Sequence, residues 1–193
     1  MKITDYKVKG CIYGLIGSLL LLISSFPYVG LIGLIFSIIL LTISFKKFSK
    51  VFNDKNLFKS YILGIVFYTL GTLILIFGII STIIVNIGII LKSLLDMDIL
   101  HLINIFIWLI ITLGALLLIY GIFMTISGVY FDKSFNLLSK YSKISLFKYC
   151  GIFYLVGGLL SVIGIGYILI TIGKIIQILG FSYMAYLIYK KEF

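Results

Sequence analysis

The chain has 193 residues, 62% of them hydrophobic and only 11% charged, where a soluble domain carries about 25% charged residues. That is too little polar surface to cover a water-soluble globule, so the solvent must be lipid. The 16 basic residues, all lysines, outnumber 6 acidic ones and give a formal charge of +10; a lysine excess on one face of a membrane protein explains this without nucleic acid.

Lys2, Lys7 and Lys9 precede the first apolar run, from Gly10 to Phe26. The opening is like that of a signal peptide. However, no small-x-small cleavage site follows, and the run leaves through Ser24-Ser25-Phe26-Pro27 and resumes at once, so a retained first helix is expected. Pro27 is the one proline. Because proline breaks a helix interior, it divides the stretch into helices over 10–26 and 28–45. The runs 61–91 and 102–130 exceed the roughly 20 residues that a span needs, and helices of that length tilt or project past the bilayer. The final run divides around Gly164-Ile165-Gly166 into helices over 145–163 and 167–189. Every backbone polar group in lipid must be bonded within its own segment. The expectation is therefore an all-α polytopic membrane helix bundle with six transmembrane helices, forming a single integral membrane domain over 1–193. The turns at Pro27 and Gly164–Gly166 carry no charge, which leaves open whether either hairpin spans or is re-entrant. Cys11 and Cys150 show no CxxC spacing and read as small residues within helices.

Lysine positions fix an orientation. With the N-terminus, the 46–60 and 131–148 loops and the C-terminus on one side, fourteen lysines lie there, against Lys92 and Lys174 on the other. Cytoplasmic loops carry such an excess, so both termini are expected in the cytoplasm of a multi-pass cell-membrane protein.

Glycines recur at seven-residue spacing: Gly64, Gly71 and Gly78; Gly114, Gly121 and Gly128; Gly166, Gly173 and Gly180. Admitting serine and cysteine adds Gly10, Gly17 and Ser24; Gly30, Ser37 and Ser44; and Cys150, Gly157 and Gly164. Seven residues is nearly two turns, so each trio lines one helix face. Lipid provides no hydrophobic drive between helices, and small residues permit the close backbone approach that replaces it. The period implies left-handed, glycine-lined packing seams. Such stripes also suit a transport path or sliding between rigid bodies.

The helix 2–3 unit resembles the helix 4–5 unit. Thr42-Ile43-Ser44 and Leu57-Phe58-Lys59 are echoed by Thr125-Ile126-Ser127 and Leu146-Phe147-Lys148, and Phe67-Tyr68 with Gly71 by Phe153-Tyr154 with Gly157. Both a duplication and generic likeness between apolar helices fit this echo. Taken as a helix, 131–148 sets Lys133, Asn136, Lys140 and Lys143 opposite Phe131, Phe135 and Leu138. Residues 46–54 set Lys46, Lys47 and Lys50 against Phe48, Val51 and Phe52. These segments either lie in the headgroup plane, with lysines on anionic lipid headgroups, or are solvated loops.

No residue pattern points to catalysis, a cofactor or a metal centre. Asp96-x-Asp98-x-x-His101 offers three ligands in a short connector, without the fourth partner a metal site wants. Lys174, about 10 Å into the last helix at 1.5 Å per residue, is either a snorkelling side chain or an intramembrane functional group; a third possibility places the turn at Gly173-Lys174. Asn86, Asn104 and Gln177 complete the intramembrane polar set, as interhelical hydrogen bonds or solute ligands.

Gly17-x-Leu19-Leu20, Pro27, the ending Phe45-Lys46-Lys47-x-Ser49, Leu57-Phe58-Lys59-x-Tyr61 and Ile176-Gln177-Ile178-x-Gly180-Phe181 resemble an archaeal multi-pass membrane protein family, domain of unknown function 996. The resemblance implies an integral membrane protein and no assigned activity. The function expected is a non-enzymatic membrane component that scaffolds, or that binds a lipid, a protein partner or a second copy. The alternative is a small transporter or channel subunit. Lys174, Asn86, Asn104 and Gln177 meeting at one hydrophilic cavity would favour transport, and scattered positions facing lipid would count against it.

Overall fold

A computed structural model of the chain describes residues 2–25, 30–95 and 99–190. These form six helices and no strand: α1 (Lys2–Ile23), α2 (Gly30–Val51), α3 (Lys55–Leu95), α4 (Ile99–Ser142), α5 (Ser145–Leu159) and α6 (Ile165–Tyr189), with a 3-10 turn, Leu160–Ile163, after α5. All six are long and apolar enough to cross a membrane, the 3-10 turn being counted with α5. Pro27 lies outside the described residues, but α1 and α2 end and begin on either side of it. The second expected break falls at Gly164, whose φ of 79° puts it in the left-handed region open to glycine; the turn is therefore not at Gly173-Lys174.

Consecutive helices run antiparallel and pack in chain order, and α6 returns to α1, so the six close a ring. The core gathers near the end that carries most of the lysines. Phe45, Phe48, Phe135, Phe147 and Phe181 are fully buried there. Phe45 stacks on Tyr61 at 3.8 Å between centroids, Phe135 stacks on Tyr154 at 5.7 Å, and Phe147 meets Phe181 edge-on at 5.0 Å.

The expected surface segments are not separate elements. Residues 46–51 continue α2, and 131–142 continue α4. Phe131, Phe135, Leu138 and Phe48 are buried against protein, because neighbouring helices reach this level and cover the faces that would otherwise meet headgroups. Tight turns take up the chain reversals, with Asn53 at φ 51° and Lys143 at φ 58°. The two turns are closed alike: Ser49 Oγ donates to the Asp54 carbonyl at 2.7 Å and Ser139 Oγ to the Ile144 carbonyl at 2.9 Å. Tyr141 ties them together by donating to Asp54 Oδ2 at 2.9 Å.

The sequence echo has a second counterpart in the α1–α2 and α3–α4 pairs. Ser44 Oγ donates to the Gly10 carbonyl at 2.7 Å, and Ser127 Oγ donates to the Gly64 carbonyl at 2.8 Å. Each glycine faces the phenylalanine four residues after that serine, Phe48 for Gly10 and Phe131 for Gly64. In the third pair the donor is on the odd-numbered helix, with Cys150 Sγ 3.4 Å from the Gly173 carbonyl.

Most of these glycines lie against a neighbouring helix. The α3 stripe faces α4, Gly64 against Phe131, Gly71 against Phe123 and Gly78 against Leu116. Gly121 and Gly128 face not α3 but the α5 side, meeting Val162 and the Tyr154 carbonyl. Gly166, Gly173 and Gly180 meet Gly157, Phe153 and Phe147. Gly114 and Gly164 are the exceptions: among the described residues nothing lies within 4 Å of the place either Cβ would take. No other helix reaches the Gly114 face.

The helices differ greatly in length. α1 and α2 have 22 residues each, about 33 Å at 1.5 Å per residue. α3 has 41 and α4 has 44, roughly 62 and 66 Å on the same rise. The α5–α6 tip ends beside Gly121, where Val162 packs. From there α4 continues away to Ile99 with α3 as its packing partner.

A cavity where six helices converge

A cavity of about 30 Å³ lies on the axis of the ring, and every helix contributes to its wall. Leu21 comes from α1; Ser37, Ile38 and Leu41 from α2; and Tyr61, Ile65 and Tyr68 from α3. α4 adds Phe131 and Phe135, α5 adds Tyr154, and α6 adds Lys174 and Gln177. Most of the wall is hydrocarbon, with polar groups at a few places.

The seven-residue seams place those groups. Gly173 lets α6 sit against Phe153 and Tyr154, which brings Gln177, one turn further on, within reach of Tyr154. The Tyr154 hydroxyl donates to Gln177 Oε1 at 3.0 Å. Gln177 is 1% exposed, and its Nε2 has no hydrogen-bond partner. Ser37, on the α2 stripe of small residues, is also fully buried with its Oγ unpartnered. An unsatisfied buried polar group costs about 1–3 kcal/mol, and two of them beside one cavity call for an occupant.

Lys174 is 4% exposed. Its amine donates to Ser25 Oγ at 3.0 Å, in the turn that follows α1, and lies 5.9 Å from the centroid of the Tyr167 ring. The side chain does snorkel toward the turn end of the bundle, but under protein cover rather than along lipid. No carboxylate among the described residues lines the cavity. Among the described residues the one ion pair is Lys9 with Asp5, far from it in the exposed first turns of α1.

The four intramembrane polar residues singled out from sequence therefore divide. Lys174 and Gln177 come together at the cavity. Asn86 does not: its Nδ2 donates to the Thr82 carbonyl of its own helix at 2.7 Å. Asn104 is exposed in the first turns of α4. Of the connector ligands, Asp96 and Asp98 lie outside the described residues, and His101 stands on the exposed first turn of α4. Sequence reasoning missed the cavity roles of Ser37, Tyr61, Tyr68 and Tyr154. A signal was available, since Tyr68 and Tyr154 occupy matching places in the internal echo, and a tyrosine amid apolar helix usually finds a polar partner.

A family model described as "Protein of unknown function (DUF996)" matches residues 29–175. An uncharacterized protein of the archaeon Methanocaldococcus jannaschii is 32% identical over 174 residues, covering 87% of each chain. No solved structure matches. The match spans most of the helical ring and takes in all the polar cavity residues, Ser37, Tyr61, Tyr68, Tyr154 and Lys174, except Gln177, which lies two residues beyond its end. This chain belongs to that family of unknown function.

Proposed function

We propose that the protein is a non-enzymatic component of the cell membrane that binds a ligand within its helical ring. The observation that carries this reading is the axial cavity, where Lys174 and the unpartnered Gln177 Nε2 and Ser37 Oγ border one space. Charged groups inside a membrane bundle are costly and mark functional sites. The test is native mass spectrometry of the full chain released gently from its own membrane. A retained solute or lipid that the Lys174→Met variant loses supports the reading; a bare chain in both cases overturns it. The same spectrum reports a second copy or a stoichiometric protein partner.

A second reading, a small transporter or channel subunit, draws on the position of the cavity on the ring axis and on the Lys174–Ser25 bond, which links it to the α1–α2 turn. Solute flux into proteoliposomes that Lys174→Met abolishes would favour it over static binding.

We further propose that both termini face the cytoplasm and that the lysine-rich end rests on anionic headgroups. The fourteen-to-two lysine division supports this, together with the exposure of Lys46, Lys50, Lys133, Lys140 and Lys148 at that end. Cys11 and Cys150 are buried, so a Lys140→Cys variant gives a labelling site of its own. Maleimide is expected to reach residue 140 only after the cells are opened; labelling from outside intact cells would reverse the orientation.

A further inference from the structure

We propose that the axial cavity is a site for one compact inorganic anion of chloride's size; this rests on the ligand-binding reading above and names the class of ligand. Three observations converge on it. The first is charge. Lys174 is 4% exposed and its amine has one hydrogen-bond acceptor, Ser25 Oγ. A buried ammonium without a counter-charge is costly, and none of the cavity-lining residues is acidic.

The second is the sense of the free hydrogen-bonding groups. Gln177 Oε1 is taken by Tyr154, which leaves Nε2 to donate. Ser37 Oγ is buried without a partner and has a proton to give. The hydroxyl-bearing Tyr61 and Tyr68 also border the space. A buried ammonium without a counter-charge and free donors among residues of one wall suit an anion, and hydrogen bonds to a charged acceptor are about twice as strong as neutral ones. A metal cation finds no carboxylate, thiolate or imidazole on this wall.

The third is size and surface. About 30 Å³ exceeds the roughly 10–15 Å³ that admits a water, yet it is small for an organic solute. Leu21, Ile38, Leu41, Ile65, Phe131 and Phe135 form most of the wall. Such a wall suits a weakly hydrated monatomic ion better than a polyatomic oxyanion, whose outward oxygens would need donors all round. Water alone would satisfy Ser37 and Gln177 but would leave the charge of Lys174 unanswered.

Radiolabelled chloride binding to the full chain in nanodiscs is the test. Wild type is expected to bind chloride saturably, one ion per chain, with bromide competing and gluconate not. Lys174→Met is expected to weaken binding at least about tenfold, by removal of the charged donor. Gln177→Glu puts a carboxylate on the cavity wall, where it repels an anion; it is expected to stay folded, to lose chloride binding and to lose any stabilisation by chloride in thermal unfolding. Ser37→Ala, the mildest change, is expected to weaken binding a few-fold. No saturable binding by wild type overturns the inference, and so does binding that Lys174→Met and Gln177→Glu leave unchanged. A different solute retained in native spectra and lost in Lys174→Met, with no chloride bound, overturns the anion assignment alone. No ligand of any kind overturns the ligand-binding reading as well.

Discussion

Between Gly121 and Ser142, α4 is held by α3 on one side and by α5 on another. Gly128 and Gly158 bring the α4 and α5 backbones into contact, and Ser127, Ser134 and Ser139 each donate a hydrogen bond. Between Ile99 and Ile119 the same helix has α3 as its packing partner. Ile103, Phe106, Trp108, Ile110 and Leu118 are exposed there, and the Thr112 hydroxyl turns back to the Trp108 carbonyl of its own helix at 2.8 Å. The hydrophobicity of the two halves does not account for the difference, since the distal half is the more apolar. In lipid, apolar side chains gain nothing by leaving lipid for protein; close packing and interhelical hydrogen bonds decide. The glycine repeat continues into both halves, but it makes a seam only where another helix arrives to use it.

The sharpest way to break this comparison is to fill the glycines. A Cβ at Gly128 would stand 2.7 Å from the Tyr154 carbonyl oxygen and 2.9 Å from the Leu155 Cα. Those are backbone atoms and cannot rotate away. Gly128→Leu is expected to abolish the folded, monodisperse species in detergent, because overpacking of this kind costs about 3 kcal/mol or more. Gly71→Leu, whose Cβ would meet the Phe123 Cβ at 2.8 Å, is expected to lower the thermal midpoint strongly. Gly114→Leu, in open space, is expected to leave it unchanged or to raise it slightly through better helix propensity. Equal losses at Gly128 and Gly114 would show that something outside the chain covers the distal half.

Core aromatics sharpen the contrast further. Phe135 is 1% exposed and stacks on both Tyr154 and Phe147. Phe135→Ala is expected to cost about 3 kcal/mol in reversible unfolding, chiefly through the void it leaves. Phe77, 65% exposed on the distal half of α3, exchanges protein-side contacts for lipid at almost no change, so Phe77→Ala is expected to be nearly neutral.

Much of this fold was legible in the sequence. Apolar run lengths found six helices, and the breaks expected at Pro27 and Gly164–Gly166 fall between α1 and α2 and between α5 and α6, because helix breaking is a local property. The seams at Gly64, Gly71, Gly78, Gly121, Gly128, Gly166, Gly173 and Gly180 followed from spacing. What a repeat cannot say is which neighbour it meets. Gly114 has the same register as Gly121 and Gly128 but meets none. The segments 46–54 and 131–148, read as headgroup-plane helices or solvated loops, instead continue α2 and α4 through residues 46–51 and 131–142; an apolar face opposite lysines looks the same whether lipid or protein covers it. Of the site, Lys174 and Gln177 were found through their polarity. Ser37 was hidden among the small residues of its stripe, and the cavity exists only through convergence of six helices, which no local pattern records.

The smallest expected effect tests whether hydrogen bonds, and not packing alone, separate the two halves. Ser127 Oγ reaches across to the Gly64 carbonyl at 2.8 Å, whereas Thr112 Oγ1 returns to its own helix. A carbonyl at position i−4 already accepts the helical N–H, so removing the Thr112 hydroxyl strands no partner, and Thr112→Val is expected to change the midpoint very little. Ser127→Ala removes an interhelical bond and leaves the volume almost intact. Within a membrane such bonds average about 0.6 kcal/mol, so a small but reproducible fall in stability is expected, and a similar one for Ser44→Ala at the matching bond of α1–α2. A double-mutant cycle of Ser127→Ala with Gly64→Ala separates the bond from the close approach that Gly64 makes to Phe131. If both serines prove silent, the half-bundle at the lysine-rich end is held by shape alone, and the glycine seams carry the whole difference between it and the distal hairpin.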